Sequence, residues 1–390
     1  MPLRVVHVIS NLGTGGAETM LVRLLAADRK RHEHAVISFL SDGALAPDVR
    51  GLGVDLFEMG AKRSAGTALL LPGLARLLTR LQPDVVQGWM YHANVAASAS
   101  RFFMRSRPPV LWNIRQTLQK LSNNSLLTQG TILAGTLLRA SPAGIVYNST
   151  ESAIQHERLG YPQTKRIIIE NGFDLAAFQP REAARKNLMK ALGLEGTPVL
   201  IGRVARKAVQ KDDPTLFAAF AEIAAQHKDA QLVLIGPGMD RTDPELDRLA
   251  RDTLACERIH FLGPRRDITD LTAGFDIAVS SSAHSEGFSN VIAEAMAAGV
   301  PVVATDVGEA RRIVEDDSRI APPGRPDALA AAIVRILALS DSDRHILGQS
   351  DRNRIEKSFG IETIAARYGA LWQKTAGRAG SSAPEGSQDG

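Results

Sequence analysis

Short β-rich runs alternate with helical periods along almost the whole chain, and this alternation limits the possible folds more than any other feature. Arg4–Ser10, His34–Leu40, Asp84–Gly88, Pro109–Ile114, Ala143–Asn148 and Lys165–Glu170 are apolar enough on both faces to be buried parallel strands. The segments between them, such as Ala17–Ala27 and Ala68–Leu81, carry helical spacing. A fresh series then begins with Pro198–Val204, Gln231–Ile235, Arg258–Leu262, Asp276–Ser280 and Pro301–Thr305, separated by helices such as Pro214–Gln226 and Asn290–Ala298. Two such series predict an α/β chain of two doubly wound domains, and 390 residues are enough for a core in each. The polar stretch Asp174–Thr197, with Pro180, Gly193 and Gly196, reads as the linker. The expected domains are therefore 1–180 and 181–375, with the closing helical segment Ile361–Lys374 able to cross back to the first. Residues 376–390, rich in Gly, Ser and Pro, read as a disordered tail. No repeat of about 20–50 residues is visible.

Composition removes several classes of function. Cys256 is the only cysteine, which excludes a disulfide framework and a cysteine-cluster zinc site. No segment reaches the ~18 apolar residues of a membrane span; the best, Ala68–Leu78, is cut by Pro72, Gly73 and Arg76. Arg4–Ile9 is too short an apolar run for a signal peptide, so a cytoplasmic location is expected. The net charge of +4 is uneven: residues 1–180 hold nineteen Lys/Arg against twelve Asp/Glu, giving +7, and the remainder carries −3. No acid occurs between Asp84 and Glu151, whereas Arg101, Arg105, Arg107, Arg115, Lys120 and Arg139 all do. This stretch reads either as a surface for anionic partners, such as acidic lipid head groups or a lipid-linked diphosphate, or as separately solvated arginines. Leu126, Leu127, Ile132, Leu133, Leu137 and Leu138 are open to two readings in the same way, an amphipathic insertion face or core. Nucleic acid is disfavoured, because aromatics are 5% and no stacking motif is present.

In doubly wound sheets, ligands bind where strands end, so the chemistry belongs in the loops that follow them. The first such loop is Asn11-Leu-Gly13-Thr-Gly15-Gly16-Ala-Glu18, whose glycines allow close approach of an anion to a helix start. It lacks the full Gly-x-Gly-x-x-Gly spacing and no acid ends the second strand, which disfavours a nicotinamide cofactor. The strongest local signal is His284-Ser-Glu286-Gly-Phe-Ser-Asn290-Val-Ile-Ala-Glu294, running on to Gly299-Val-Pro301. Glu286 falls in a loop and Glu294 in the second turn of the helix that follows, at most ~12 Å away. Each carboxylate can accept hydrogen bonds from a vicinal diol, and Gly287, Phe288 and Ser289 offer amides to a phosphate. Glu294 sits among Val291, Ile292, Ala295 and Met296, so partial burial is expected. After Gly202, the residues Arg203, Arg206 and Lys211 can neutralise a diphosphate. Asp341-Ser-Asp343 has the Asp-x-Asp form of some metal-dependent transferases, but its place between helices reads as a helix cap.

With these residues in view, the chain resembles the retaining nucleotide-sugar glycosyltransferases of the GT-B fold, specifically glycosyltransferase family 4. The resemblance covers about residues 4–375 and rests on Gly15-Gly16-Ala17-Glu18, Asn171-Gly172-Phe173-Asp174, the Arg206/Lys211 pair, Gly236-Pro-Gly238 and the Glu286-to-Glu294 element. It implies two Rossmann-like domains facing an interdomain cleft, acceptor side first and nucleotide-sugar side second. It also implies roles. Arg206 and Lys211 would clamp the donor diphosphate, Glu286 would hold donor-sugar hydroxyls with the amides of Gly287, Phe288 and Ser289 at the helix start by Asn290, and Glu294 would bind the ribose diol. The backbone near Arg265 would receive the base, with Gly236 and Gly238 shaping that pocket. Gly15 and Gly16 would approach phosphate or acceptor, and His92 would face the reacting sugar. The sequence departs from the family pattern at Lys207-Ala-Val-Gln210, where an acid or proline turn is usual, and at Gln116, where relatives often carry a second histidine.

The resulting expectation is metal-independent, retaining transfer of a sugar from a nucleotide-diphosphate donor, UDP being the family expectation, to a hydroxyl of a lipid-linked or polysaccharide-precursor glycan. No cofactor is expected. Peripheral attachment to the inner face of an anionic membrane is the expected location if the basic stretch meets lipid. Two alternatives stay open at this point: a nucleotide-sugar epimerase of the same fold, and a non-catalytic nucleotide-sugar-binding protein.

Overall fold

A computed structural model describes residues 2–61, 67–118, 121–181, 183–284 and 286–380. The chain divides into two units, Met1–Gly172 with Ile361–Gly390, and Phe173–Gly360. In the first, the apolar runs form β1 (Arg4–Ile9), β2 (Glu33–Ser38), β3 (Asp55–Glu58), β4 (Val85–Trp89), β5 (Val110–Ile114), β6 (Gly144–Tyr147) and β7 (Arg166–Ile168). They pair in the order β3-β2-β1-β4-β5-β6-β7. Every pairing is parallel, with Val5 opposite His34 on one side and Val85 on the other. Strands β4 and β5 are buried at every residue because helices cover both faces, which is why they are mostly apolar, with Gln87 and Asn113 the buried polar exceptions. β3 escaped the sequence reading. It is a short edge strand with Asp55 and Glu58 at its ends, the charged edge that discourages further pairing and masks the pattern.

The second unit holds β8 (Val199–Val204), β9 (Ala230–Ile235), β10 (Ile259–Gly263), β11 (Ile277–Ser280), β12 (Val302–Thr305) and β13 (Ile320–Ala321), in the order β10-β9-β8-β11-β12-β13. Strand order reverses between β8 and β11, so the loops after these two strands flank the switch point where such sheets bind ligands. β13 is two residues long and carries too little pattern to be read from sequence.

Two boundaries differ from expectation. The units part between Gly172 and Phe173, not at 180/181, because Phe173 and Phe178 are buried in the core of the second unit. The supposed linker contains the helix Ala184–Leu192, which buries Ala184 and Leu188. Its polar composition hid a single apolar stripe. The closing helix, Ile361–Gly380, belongs to the first unit and continues through residues expected to be disordered. It buries Ile364, Ala365, Tyr368 and Trp372 completely, in one core with Val5, Ile9, Leu24 and Trp89. The remaining tail, 381–390, lies outside the described residues.

A polar chain runs through that core. Trp89 Nε1 donates to His7 Nδ1 at 3.2 Å, which leaves His7 Nε2 to donate to His34 Nδ1 at 3.0 Å. His34 Nε2 and His32 Nδ1 then both donate to Asp28 Oδ2, at 3.0 and 2.7 Å. Each neutral histidine has one donor and one acceptor nitrogen, and this order fixes the tautomers of His7 and His34. Trp372 packs its ring edge against all three histidines.

Candidate active site

The loop after β8 ends in a turn, Val209–Lys211, and the helix Asp213–Gln226 follows. Asp212 caps that helix from a left-handed conformation (φ 51°), its carboxylate accepting from the Thr215 amide and hydroxyl. This aims Lys211 across the switch point. Lys211 Nζ donates to Glu286 Oε1 at 2.5 Å, and Ser282 Oγ donates to the same oxygen at 2.8 Å. The Lys211 and Glu286 side chains are 17% and 15% exposed, sheltered enough to interact strongly yet still partly open to solvent. The turn is held from below: the Lys211 carbonyl accepts from the buried Arg203 guanidinium at 2.8 Å and from Ser281 Oγ at 2.9 Å. Arg203 in turn is paired with buried Asp213, and the Ala283 amide reaches the Gln210 carbonyl at 2.9 Å. Lys211 is thus fixed in its main chain, while its side chain pairs with Glu286 across the loop.

Glu286 opens the segment that leads into the helix Asn290–Ala297. Ser289 occupies the cap position, but its side chain makes no capping bond, and its buried Oγ has no hydrogen-bond partner among the described residues. Helix-start amides left uncapped by a side chain suit an anion. Phe288 contributes its backbone, since its ring is buried and stacks on Phe173 at 5.7 Å and meets Phe359 edge-on at 5.2 Å. That anchor fixes the neighbouring Gly287 and Ser289. Glu294 is partly buried, as its apolar surroundings implied.

Gly308 was missed by sequence reading. Its φ is +62°, and a Cβ there would lie 2.4 Å from the Glu286 carbonyl oxygen and 2.5 Å from that of Gly287. The Glu309 amide also donates to the Gly287 carbonyl at 3.1 Å. Gly308→Val is expected to displace the Glu286 loop and, if that loop holds the nucleotide sugar that the family resemblance implies, to weaken its binding about tenfold or more, a loss of about 1.4 kcal/mol. Calorimetric titration with a UDP-sugar checks this; measurable but unchanged affinity would show that the Glu286 backbone does not position such a ligand.

The loops after β8, β9 and β10 are joined edge to edge. Gly236 (φ +141°) lies so close that a Cβ would come within 2.0 Å of the Ala205 carbonyl oxygen, and Gly238 (φ +76°) abuts the Lys207 side chain. Gly236 N donates to the Gly263 carbonyl, and Gly263 N to that of Met239. Arg206 projects from this junction, exposed. Lys207, the departure from the family pattern, is held by Asp243 at 2.9 Å and Glu245 at 2.8 Å, so its charge is already compensated. The Arg265 side chain, exposed, pairs with Asp267 at 2.7 Å.

The other named residues lie in the first unit. Gly15 caps the helix Gly16–Asp28 after β1 with no side-chain bond, and both Gly15 and Gly16 are exposed. His92 is in the first turn of the helix Met90–Ser100, with Nδ1 3.1 Å from Thr131 Oγ1, and burial lowers its pKa. The turn entering that helix puts Met90 at φ +66°, a strained value for a residue with a side chain. Gln116 donates to the Tyr91 hydroxyl at 3.2 Å, and that hydroxyl meets His156 Nε2 at 2.8 Å.

Lys211, Glu286, Gly287, Phe288, Ser289, Asn290 and Glu294 therefore share one end of the second sheet, with Arg206, Gly236, Gly238 and Arg265 on adjoining loops. Sequence reading missed Ser281, Ser282 and Asp213, whose only signal was a run of hydroxyls after β11 and an acid pair before Pro214. It had named Arg203 as an anion ligand, whereas the fold buries it as the support of the Lys211 turn. Asp341 and Asp343 stand in the first turn of the helix Asp341–Phe359, which Ser340 caps through the Asp343 amide at 3.1 Å. Among the described residues no group of three His, Cys, Asp or Glu is placed to hold a metal.

Comparison with known proteins defines the class. Residues 14–177 match the family described as Glycosyltransferase Family 4, and residues 196–339 match Glycosyl transferases group 1. The fold is shared with Anabaena HepE, solved in complex with UDP: TM-score 0.80, 22% identity, 95% of this chain and 100% of that one. The two sheets and their helices are those of a GT-B glycosyltransferase. The chain belongs to glycosyltransferase family 4. Among curated relatives, the D-inositol 3-phosphate glycosyltransferase of Corynebacterium urealyticum is 31% identical over 68% of this chain. A GDP-mannose-dependent phosphatidylinositol dimannoside mannosyltransferase of Mycobacterium tuberculosis is 24% identical over 88% of this chain and 89% of its own length. The match spans less than two thirds of two others: 65% of the Corynebacterium protein, and 59% of Bacillus subtilis spore coat protein SA, which is 28% identical.

Proposed function

We propose that this protein is a retaining, metal-independent glycosyltransferase that moves a sugar from a UDP-sugar to a hydroxyl of a lipid-linked or polysaccharide-precursor glycan. The observation that carries the reading is the Lys211–Glu286 contact beside an uncapped helix start. One cation, one carboxylate and a row of amides converge there, the donors and acceptors that a sugar diphosphate requires. HepE, solved with UDP, supports the nucleotide; the Mycobacterium relative named as GDP-mannose-dependent makes GDP-mannose the natural control.

In the proposed reaction the bond from the anomeric carbon to the diphosphate breaks, and the acceptor oxygen bonds to the same face of that carbon. The acceptor proton passes to the departing phosphate oxygen. Lys211, with Arg206, offsets the charge that builds on the diphosphate, and the amides of Gly287, Phe288 and Ser289 hold its oxygens in place. Glu286 accepts from sugar hydroxyls and Glu294 from the ribose diol, while Gly236, Gly238 and the Arg265 backbone receive the base. On the first unit, His92 is assigned to a reacting hydroxyl, and Gly15 and Gly16 to close backbone approach. The protein supplies position and electrostatics and forms no covalent intermediate. A lipid-linked acceptor would place the enzyme on the inner face of a membrane.

A thermal-shift series with UDP-, GDP- and ADP-sugars tests the donor, because a ligand that binds only the folded chain stabilises it by about 2.7 kcal/mol at a hundredfold excess over Kd. UDP-sugars are expected to give the largest shift. No shift with any of them sinks the reading, and conversion of donor alone into another nucleotide sugar would favour an epimerase instead.

A further inference from the structure

The helix Leu126–Leu137 is apolar on the wrong side. Leu126, Leu133 and Leu137 recur at intervals of seven and four, forming one stripe, and they are 84%, 48% and 86% exposed. The opposite face already supplies Ile132 to the core, fully buried. Beside the helix, Phe102 and Phe103 are 69% and 60% exposed. The two elements are tied together, since Arg101 donates to the Ser141 carbonyl at 3.2 Å. Phe102, Leu137 and Leu138 line a groove of about 360 Å³ whose other walls include Arg101 and Arg107. Contiguous large apolar side chains of this kind mark an interaction surface.

Charge selects the partner. Arg105, Arg107 and Arg139 are exposed around this patch, and no Asp or Glu occurs from residue 85 to 150 to offset them. A second copy of the chain meeting this face about a two-fold axis would bring the arginines against one another. An acidic lipid surface satisfies both features: the leucine and phenylalanine side chains enter the acyl boundary, and the arginines meet the head groups. No helix among the described residues is long and apolar enough to cross a bilayer, so attachment would be to one leaflet.

We infer that the stripe Leu126/Leu133/Leu137, with Phe102, Phe103 and the three arginines, is a docking face for an anionic membrane. The inference depends on the proposed function only in placing the acceptor at a membrane. It is tested by sedimentation of the full chain with vesicles of phosphatidylcholine, and of phosphatidylcholine containing about one third phosphatidylglycerol. Binding is expected only to the anionic vesicles and is expected to weaken with salt. The triple variant Arg105→Gln/Arg107→Gln/Arg139→Gln should lose roughly fivefold in partitioning per arginine. Leu126→Ser/Leu133→Ser/Leu137→Ser should lose about tenfold or more. These side chains are exposed, so unfolding temperature and the UDP-glucose thermal shift should stay as in the parent. Absence of binding to anionic vesicles, binding indifferent to both variants, or a solution dimer that the serine variant dissociates would each overturn the inference. Vesicle binding without any nucleotide-sugar shift would leave this face standing and sink the donor reading instead.

Discussion

Replacing Lys211 with alanine is expected to lower transfer about 10²–10³-fold, or about 3–4 kcal/mol of transition-state stabilisation. The size follows from where the charge sits. Lys211 Nζ is partly shielded from water and 2.5 Å from Glu286, so it needs little rearrangement to meet the charge that the proposed reaction develops on its leaving diphosphate. The fold should survive. Arg203 and Ser281 hold the Lys211 carbonyl, not its side chain, and Glu286 retains its bond from Ser282. Leaving Glu286 without its cation should cost about 1–3 kcal/mol of stability, which denaturant unfolding can separate from activity. Glu286→Ala should be equally damaging to turnover, because it removes the carboxylate proposed to accept from sugar hydroxyls. Full activity of the Lys211 variant at saturating donor would remove the lysine from the mechanism.

The second large effect is on stability, in the first unit. His156 donates Nδ1–H to the Ser152 carbonyl at 2.7 Å while its Nε2 meets the Tyr91 hydroxyl, and burial brings its pKa from 6.5 to about 4. His7, buried and beside His34, is likewise held well below the usual histidine value. Between pH 6.5 and about 4 the folded unit therefore binds fewer protons than the unfolded chain, so stability rises with pH and is lost as pH falls through this window. For His156 alone the loss at the acid end is about 3 kcal/mol, and His7 adds to it. Urea unfolding at neutral and mildly acid pH measures the difference, and His156→Gln should flatten the curve. Asp28→Ala should destabilise at every pH, by about 2–6 kcal/mol, because it strips the acceptor from two buried imidazole donors, His32 and His34. A stability curve level from neutral to acid pH would mean that His156 and His7 are not held neutral by the core.

The alternation of apolar runs and helical periods was enough to determine the two parallel sheets, because strands buried on both faces must be apolar throughout and their helices must show one apolar stripe. The same holds for Glu286 and Glu294, since the loop-to-helix element that carries them is continuous in the chain. Tertiary structure alone decided what depends on residues far apart. The boundary at Gly172/Phe173 was invisible because Phe173 and Phe178 owe their burial to a core built from later segments. The return of the closing helix to the first unit was expected, but its seat, with Tyr368 and Trp372 beside β1 and β4, is a match that no local pattern encodes. Arg203 turned from a ligand candidate into a buried support, and Gly308 into a spacer for the Glu286 loop, through contacts that sequence spacing does not specify. Local periodicity reports which face of an element is apolar; which partner covers that face, and where a charge ends up, is settled only when distant segments pack.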